Sequence, residues 1–102
     1  MSQVQIDIPL AEIEAFCKQN HIRKLALFGS VLRRDFTQDS DVDVLVKFEP
    51  GKVPGLIRLG GMAEELSSLL GGRRVDLLTP EDLSEYFRED VINSAEVLYG
   101  AD

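Results

Sequence analysis

Two aspartates, Asp41 and Asp43, stand two residues apart at the head of an alternating run, DVDVLVKF. On a strand, side chains at i and i+2 emerge on the same side about 6.5–7 Å apart, so both carboxylates face one small volume. Left alone they repel, and each raises the other's pKa. Mg²⁺ removes that penalty, because it prefers hard oxygen ligands and is commonly held by one or two carboxylates together with substrate phosphates. Upstream, the apolar run Leu25 to Phe28 stops abruptly at Gly29-Ser30. A glycine lets the backbone bend and approach a polyphosphate, while a serine hydroxyl and the N–H groups of a following helical turn donate to phosphate oxygens. A third aspartate, Asp76, lies in RRVDLL between apolar neighbours. On a strand beside the one carrying Asp41 and Asp43, its carboxylate would complete a second metal site and take the proton of an incoming hydroxyl. In-line displacement at phosphorus would then have cations on both the attacking and the leaving oxygens. Each feature alone is weak; together, with ten residues between Ser30 and Asp41, they are specific.

The elements that must position these groups alternate along the chain. Pro9 suits a helix start, where its missing N–H is unneeded, and Leu10, Ile13, Phe16 and Cys17 then recur at helical spacing. LALF reads as a buried strand, followed by a short helix through Val31 to Arg34. Asp41 to Phe48 is the clearest strand, with Val42, Val44, Val46 and Phe48 on one face and Asp41, Asp43, Leu45 and Lys47 on the other. Two prolines and two glycines make Glu49 to Gly55 a loop. A helix follows, with Leu56, Leu59, Ala63, Leu66 and Leu70 on one stripe, stopped by Gly71-Gly72. Arg73 to Leu78 gives a third strand, and Thr79-Pro80-Glu81-Asp82 starts a helix, with Leu83, Tyr86 and Phe87 and then Val91, Ile92 and Ala95 forming two helical pieces. Periodicity does not decide whether the final VLYGAD is strand or helix.

Length and charge bound the function. One hundred and two residues allow one compact domain over 1–102, with no room for a separate acceptor-binding half. A single cysteine excludes an intrachain disulfide, and a structural zinc site lacks its Cys/His ligands. No apolar run is long enough for a membrane span and no signal-type segment opens the chain, so a cytoplasmic protein is expected. Eighteen acidic against eleven basic side chains, a net charge of -7, argue against non-specific nucleic-acid binding. They also mean that any phosphate chemistry needs metal cations.

Gly29-Ser30, ten residues, Asp41-x-Asp43, and later Arg74-Val75-Asp76-Leu77-Leu78 resemble, over nearly the whole chain, the minimal nucleotidyltransferases of the DNA polymerase beta-like superfamily. The resemblance implies an α/β fold, a small mixed sheet flanked by helices. It implies transfer of a nucleoside monophosphate, AMP from ATP or its equivalent from another nucleoside triphosphate, with release of pyrophosphate and two Mg²⁺ ions in the active complex. By position, Gly29 and Ser30 would contact phosphate, Asp41 and Asp43 would hold metal, and Asp76 would be the third catalytic and metal-binding carboxylate. Many relatives read Gly-Ser-x-Ala-Arg-Gly; here the segment is Gly29-Ser30-Val31-Leu32-Arg33-Arg34, which keeps Arg33 for the nucleotide phosphates but puts Arg34 where glycine is usual. Small members of the family often act as antitoxins beside a HEPN-type ribonuclease toxin, some by attaching AMP to a toxin tyrosine.

So short a core has little surface for an acceptor, which implies a macromolecular acceptor with its own contacts, or a small one held at a homo-oligomer interface. Two other readings compete: a non-catalytic module that neutralises a partner by contact, and a transferase for a small hydroxylated molecule, disfavoured by the missing acceptor domain. His21 reads as a surface or capping residue and Cys17 as a buried small hydrophobe. Tyr86 and Tyr99 read as packing residues, and Asp35 and Asp39 as part of a solvated loop.

Overall fold

A computed structural model describes residues 4–100. In chain order it contains α1 (Leu10–Gln19), β1 (Ile22–Phe28), β2 (Val42–Phe48), α2 (Leu56–Leu69), β3 (Val75–Leu78), α3 (Arg88–Ser94) and β4 (Glu96–Gly100). The strands form one mixed sheet in the order β3-β2-β1-β4. β1 pairs antiparallel with β2 and β4, and β2 pairs parallel with β3. The parallel pair follows from the intervening α2, which carries the chain back to the edge from which β2 began.

Pro9 opens α1 as expected, its carbonyl accepting from the Ile13 N–H at 2.9 Å. Ile13, Phe16 and Cys17 then pack with Met62 and Leu66 of α2 onto a single sheet face made by Leu25, Leu27, Val42, Val44, Val46 and Phe48. Fully burying a residue such as Leu27 or Leu66 contributes about 1.5–3 kcal/mol, so this face is the main stabilising layer. Alternation sends Asp43 and Leu45 to the opposite face. There Ala26 and Leu45 are buried, and Pro80 and Ile92 form a smaller cover.

Several local expectations need correction. β1 begins at Ile22, three residues before the apolar run, because its pairing with β2 continues to Phe48. The helix expected over Val31 to Arg34 is a single 3₁₀ turn, Gly29–Leu32, which ends with Arg33 in extended backbone. Asp41 lies just before β2 rather than within it. β3 is confined to Val75–Leu78. After Thr79 the backbone makes only a 3₁₀ turn, Pro80–Asp82; Asp82 accepts from both the N–H and the hydroxyl of Thr79 at 3.0 Å, but Leu83 resumes extended backbone. True helix starts at Arg88. Leu10 and Leu56 head their helices beyond the edge of the core and are exposed, and Tyr86 is 90% exposed rather than packed. The end of the chain is a strand: Glu96–Gly100 pairs with β1, while Ala101 and Asp102 lie outside the described residues.

Candidate active site

The register of the sheet puts the chemistry together. Asp43 of β2 lies opposite Phe28 of β1 on one side and opposite Asp76 of β3 on the other. Neighbouring strands are about 4.8 Å apart, so the parallel pairing brings Asp43 and Asp76 side by side on the face away from α1 and α2. Gly29 follows Phe28 and therefore arrives against Asp43. Its backbone has φ +76°, and a Cβ built there would collide with the Asp43 Oδ2. Glycine is required here on both counts, since L side chains rarely adopt this conformation.

Asp41 stands one step from the strand and remains half exposed. Its Oδ1 accepts from the Arg74 Nε at 3.0 Å, and the Ser30 hydroxyl reaches its main-chain carbonyl at 3.4 Å. The charges act on one another: the Asp43 carboxyl is pushed above its ordinary value first by burial, then by the negative charges of Asp76 and Asp41, while the Arg33 guanidinium pulls it back. Arg33 is exposed and donates from its Nε to Asp35 at 3.3 Å, yet it is close enough for its charge to be felt at Asp43. The turn, the three aspartates and Arg33 thus form one electrostatic neighbourhood.

Among the described residues no three His, Cys, Asp or Glu side chains form a ready metal cage. Asp41 is turned onto Arg74 instead. The donor chemistry nonetheless fits Mg²⁺: Asp43 and Asp76 are hard carboxylates placed side by side with Asp41 two residues away, and burial together with these two neighbouring charges disfavours the ionised form of Asp43. Arg74, 83% exposed, is free to yield its partner.

A recess of about 250 Å³ opens beside Asp41 between residues 38–41 and 72–74, and exposed Asp39 lines it. A wider cleft of about 860 Å³, between residues 5–9 and 69–73, touches none of the three aspartates. Of the three aspartates, the smaller recess touches Asp41 alone. Sequence reasoning gave Arg74 no role, although it stands two residues before Asp76. Its importance depends on register: Val42 lies opposite Val75, so extending the parallel pairing by one residue puts Asp41 beside Arg74. Of the residues set aside, Cys17 is fully buried and His21 is an exposed residue with φ 55° at the turn into β1, its Nδ1 3.4 Å from Glu49.

With this geometry in place, comparison with known proteins defines the class. The family profile "Polymerase beta, Nucleotidyltransferase" matches residues 11–102. The chain belongs to that family, and it is a nucleotidyltransferase. Among individual relatives, it is 38% identical over 78 residues to the protein adenylyltransferase MntA of Thermococcus cleftensis, covering 76% of this chain and 74% of the relative. A solved structure of a protein described as a minimal nucleotidyltransferase superposes with a TM-score of 0.68 at 32% identity, over 84% of this chain and 85% of that one. A complex of the tri-AMPylated HEPN toxin of Shewanella oneidensis with an MNT antitoxin matches with a TM-score of 0.64 at 23% identity, over 90% of this chain and 70% of the other, a likeness of fold.

Proposed function

We propose that this chain, acting as one domain over 1–102, is a Mg²⁺-dependent protein adenylyltransferase that moves AMP from ATP onto a hydroxyl of a HEPN-type toxin and thereby serves as its antitoxin in the cytoplasm. The observation that carries the reading is the side-by-side placement of Asp43 and Asp76 with the Gly29 backbone packed against Asp43. That arrangement sets a side-chain-free turn directly against paired carboxylates. The 38% identity to a protein adenylyltransferase supports AMP as the group and protein as the acceptor. The fold shared with the antitoxin of an AMPylated HEPN toxin supports the partner.

In this reading Asp41, Asp43 and Asp76 would hold Mg²⁺, which would supply positive charge to the phosphates of the nucleotide. Ser30 and the N–H groups of the Gly29–Leu32 turn orient the triphosphate, and Arg33 adds a cation on the same side. Asp76 sits at the exposed edge of the carboxylate set, where an acceptor hydroxyl can reach it, and takes up the hydroxyl proton. The acceptor oxygen forms a bond to the α-phosphorus as the bond to the bridging oxygen breaks, and pyrophosphate leaves with that electron pair.

The test is incubation with Mg²⁺, α-labelled ATP and the product of the adjacent reading frame. Label should pass to that protein, and the combined Asp41→Ala and Asp43→Ala change should abolish both labelling and neutralisation. No transfer with any of the four nucleotides would refute the enzymatic reading. Neutralisation that survives the double substitution in a folded variant would identify a module acting by contact.

A further inference from the structure

Arg74 is held to the site at both ends. Its carbonyl accepts the Val42 N–H at 2.8 Å, which fixes its backbone at the foot of the parallel β2–β3 pair, and its Nε closes on the Asp41 Oδ1 at 3.0 Å. The arginine therefore occupies an oxygen that the proposed metal needs, in a cluster where Asp41 and Asp76 already crowd Asp43 with negative charge. A guanidinium and a divalent cation compete for one carboxylate and repel each other when close. Arg74 is 83% exposed and lines the recess between residues 38–41 and 72–74, so its side chain can leave Asp41 without disturbing the packed core.

Resting on the metal-dependent reading above, we infer that Arg74 is a displaceable counter-ion of the metal-free site: it holds Asp41 until a divalent cation arrives, so that loading is an exchange of one cation for another. The ion pair keeps the empty carboxylate set neutralised at one corner and sets the threshold at which metal enters. Because the pair is solvent-exposed, its strength is that of a surface ion pair, which corresponds to an effect of about two- to five-fold on metal affinity.

The experiment titrates the full chain, without nucleotide, with Mn²⁺, an oxygen-seeking stand-in for Mg²⁺ whose free form is counted by EPR. Arg74→Gln should tighten Mn²⁺ binding about two- to five-fold, and Arg74→Lys, which keeps the charge but loses the Nε contact, should fall between it and the original chain. In an Asp41→Asn background the Arg74 substitution should have no effect. Unchanged or weaker binding in Arg74→Gln, or a gain that persists with Asp41→Asn, would overturn the counter-ion role while leaving the metal site standing. Mn²⁺ binding that is absent, or indifferent to Asp43→Asn, would instead remove the metal-dependent reading and the counter-ion role with it.

Discussion

Replacing Gly29 by alanine tests the centre of the argument, because two costs of different origin meet at one atom. The first is conformational: φ is +76°, and an L residue in the left-handed region costs about 1–2 kcal/mol. The second is steric, since the new methyl collides with the Asp43 Oδ2 and must drive that side chain off its rotamer, for about 0.5–1.5 kcal/mol. Together they predict that Gly29→Ala lowers stability by about 1.5–3.5 kcal/mol in urea unfolding at neutral pH without divalent cations. In an Asp43→Ala background the collision vanishes and only the conformational cost remains. A double-mutant cycle should then give a coupling of about 0.5–1.5 kcal/mol, with Gly29→Ala less harmful when Asp43 is absent. Equal costs in both backgrounds would show that Gly29 and Asp43 are not packed as described, and a cost in the original background below about 0.5 kcal/mol would refute the left-handed turn as well.

Two further outcomes follow from the same structure. The folded-state pKa of Asp43 lies above its ordinary 3.8, so its ionised form opposes folding: its contribution is most favourable below that value and is lost as pH rises through the raised folded pKa. Asp43→Asn should therefore raise the melting temperature at pH 7 in metal-free buffer, with the advantage shrinking to nothing in acid; a uniform gain at all pH values would exclude the electrostatic cause. Burial pushes the Cys17 thiol up to about 12, which leaves only about one molecule in ten thousand as thiolate at pH 8. Its alkylation should be negligible in the folded chain and should follow the rate of unfolding in denaturant, whereas fast native-state labelling would place Cys17 outside the core.

The carboxylates, the Gly29-Ser30 bend and the alternation of Val42, Val44, Val46 and Phe48 were legible because each is a local pattern. What they do to one another was not, since it depends on register. Nothing in the residues around Asp41 says that Arg74 will stand beside it; that follows only once Val42 is known to pair with Val75. The same limit explains β4, whose short VLYG stretch becomes a strand because β1 offers it an open edge. Thr79 to Asp82 carries sound helix-start chemistry, and the turn forms, but Leu83 is buried in extended backbone and helix begins only at Arg88. Leu10, Leu56 and Tyr86 were misplaced for a related reason: apolar character marks a residue for burial only where a neighbouring layer reaches it.

The two aspartates brought level by the parallel pairing are mounted on supports of unequal strength. Asp43 rides on a strand paired on both sides, whereas Asp76 rides on four residues at the rim, paired as a strand with β2 only among the described residues. Rim segments with so short a ladder detach and re-form far more often than a central strand. The third carboxylate is thus the removable member of the set. A chain laid along β3 would therefore change how much of the time Asp76 stands level with Asp43.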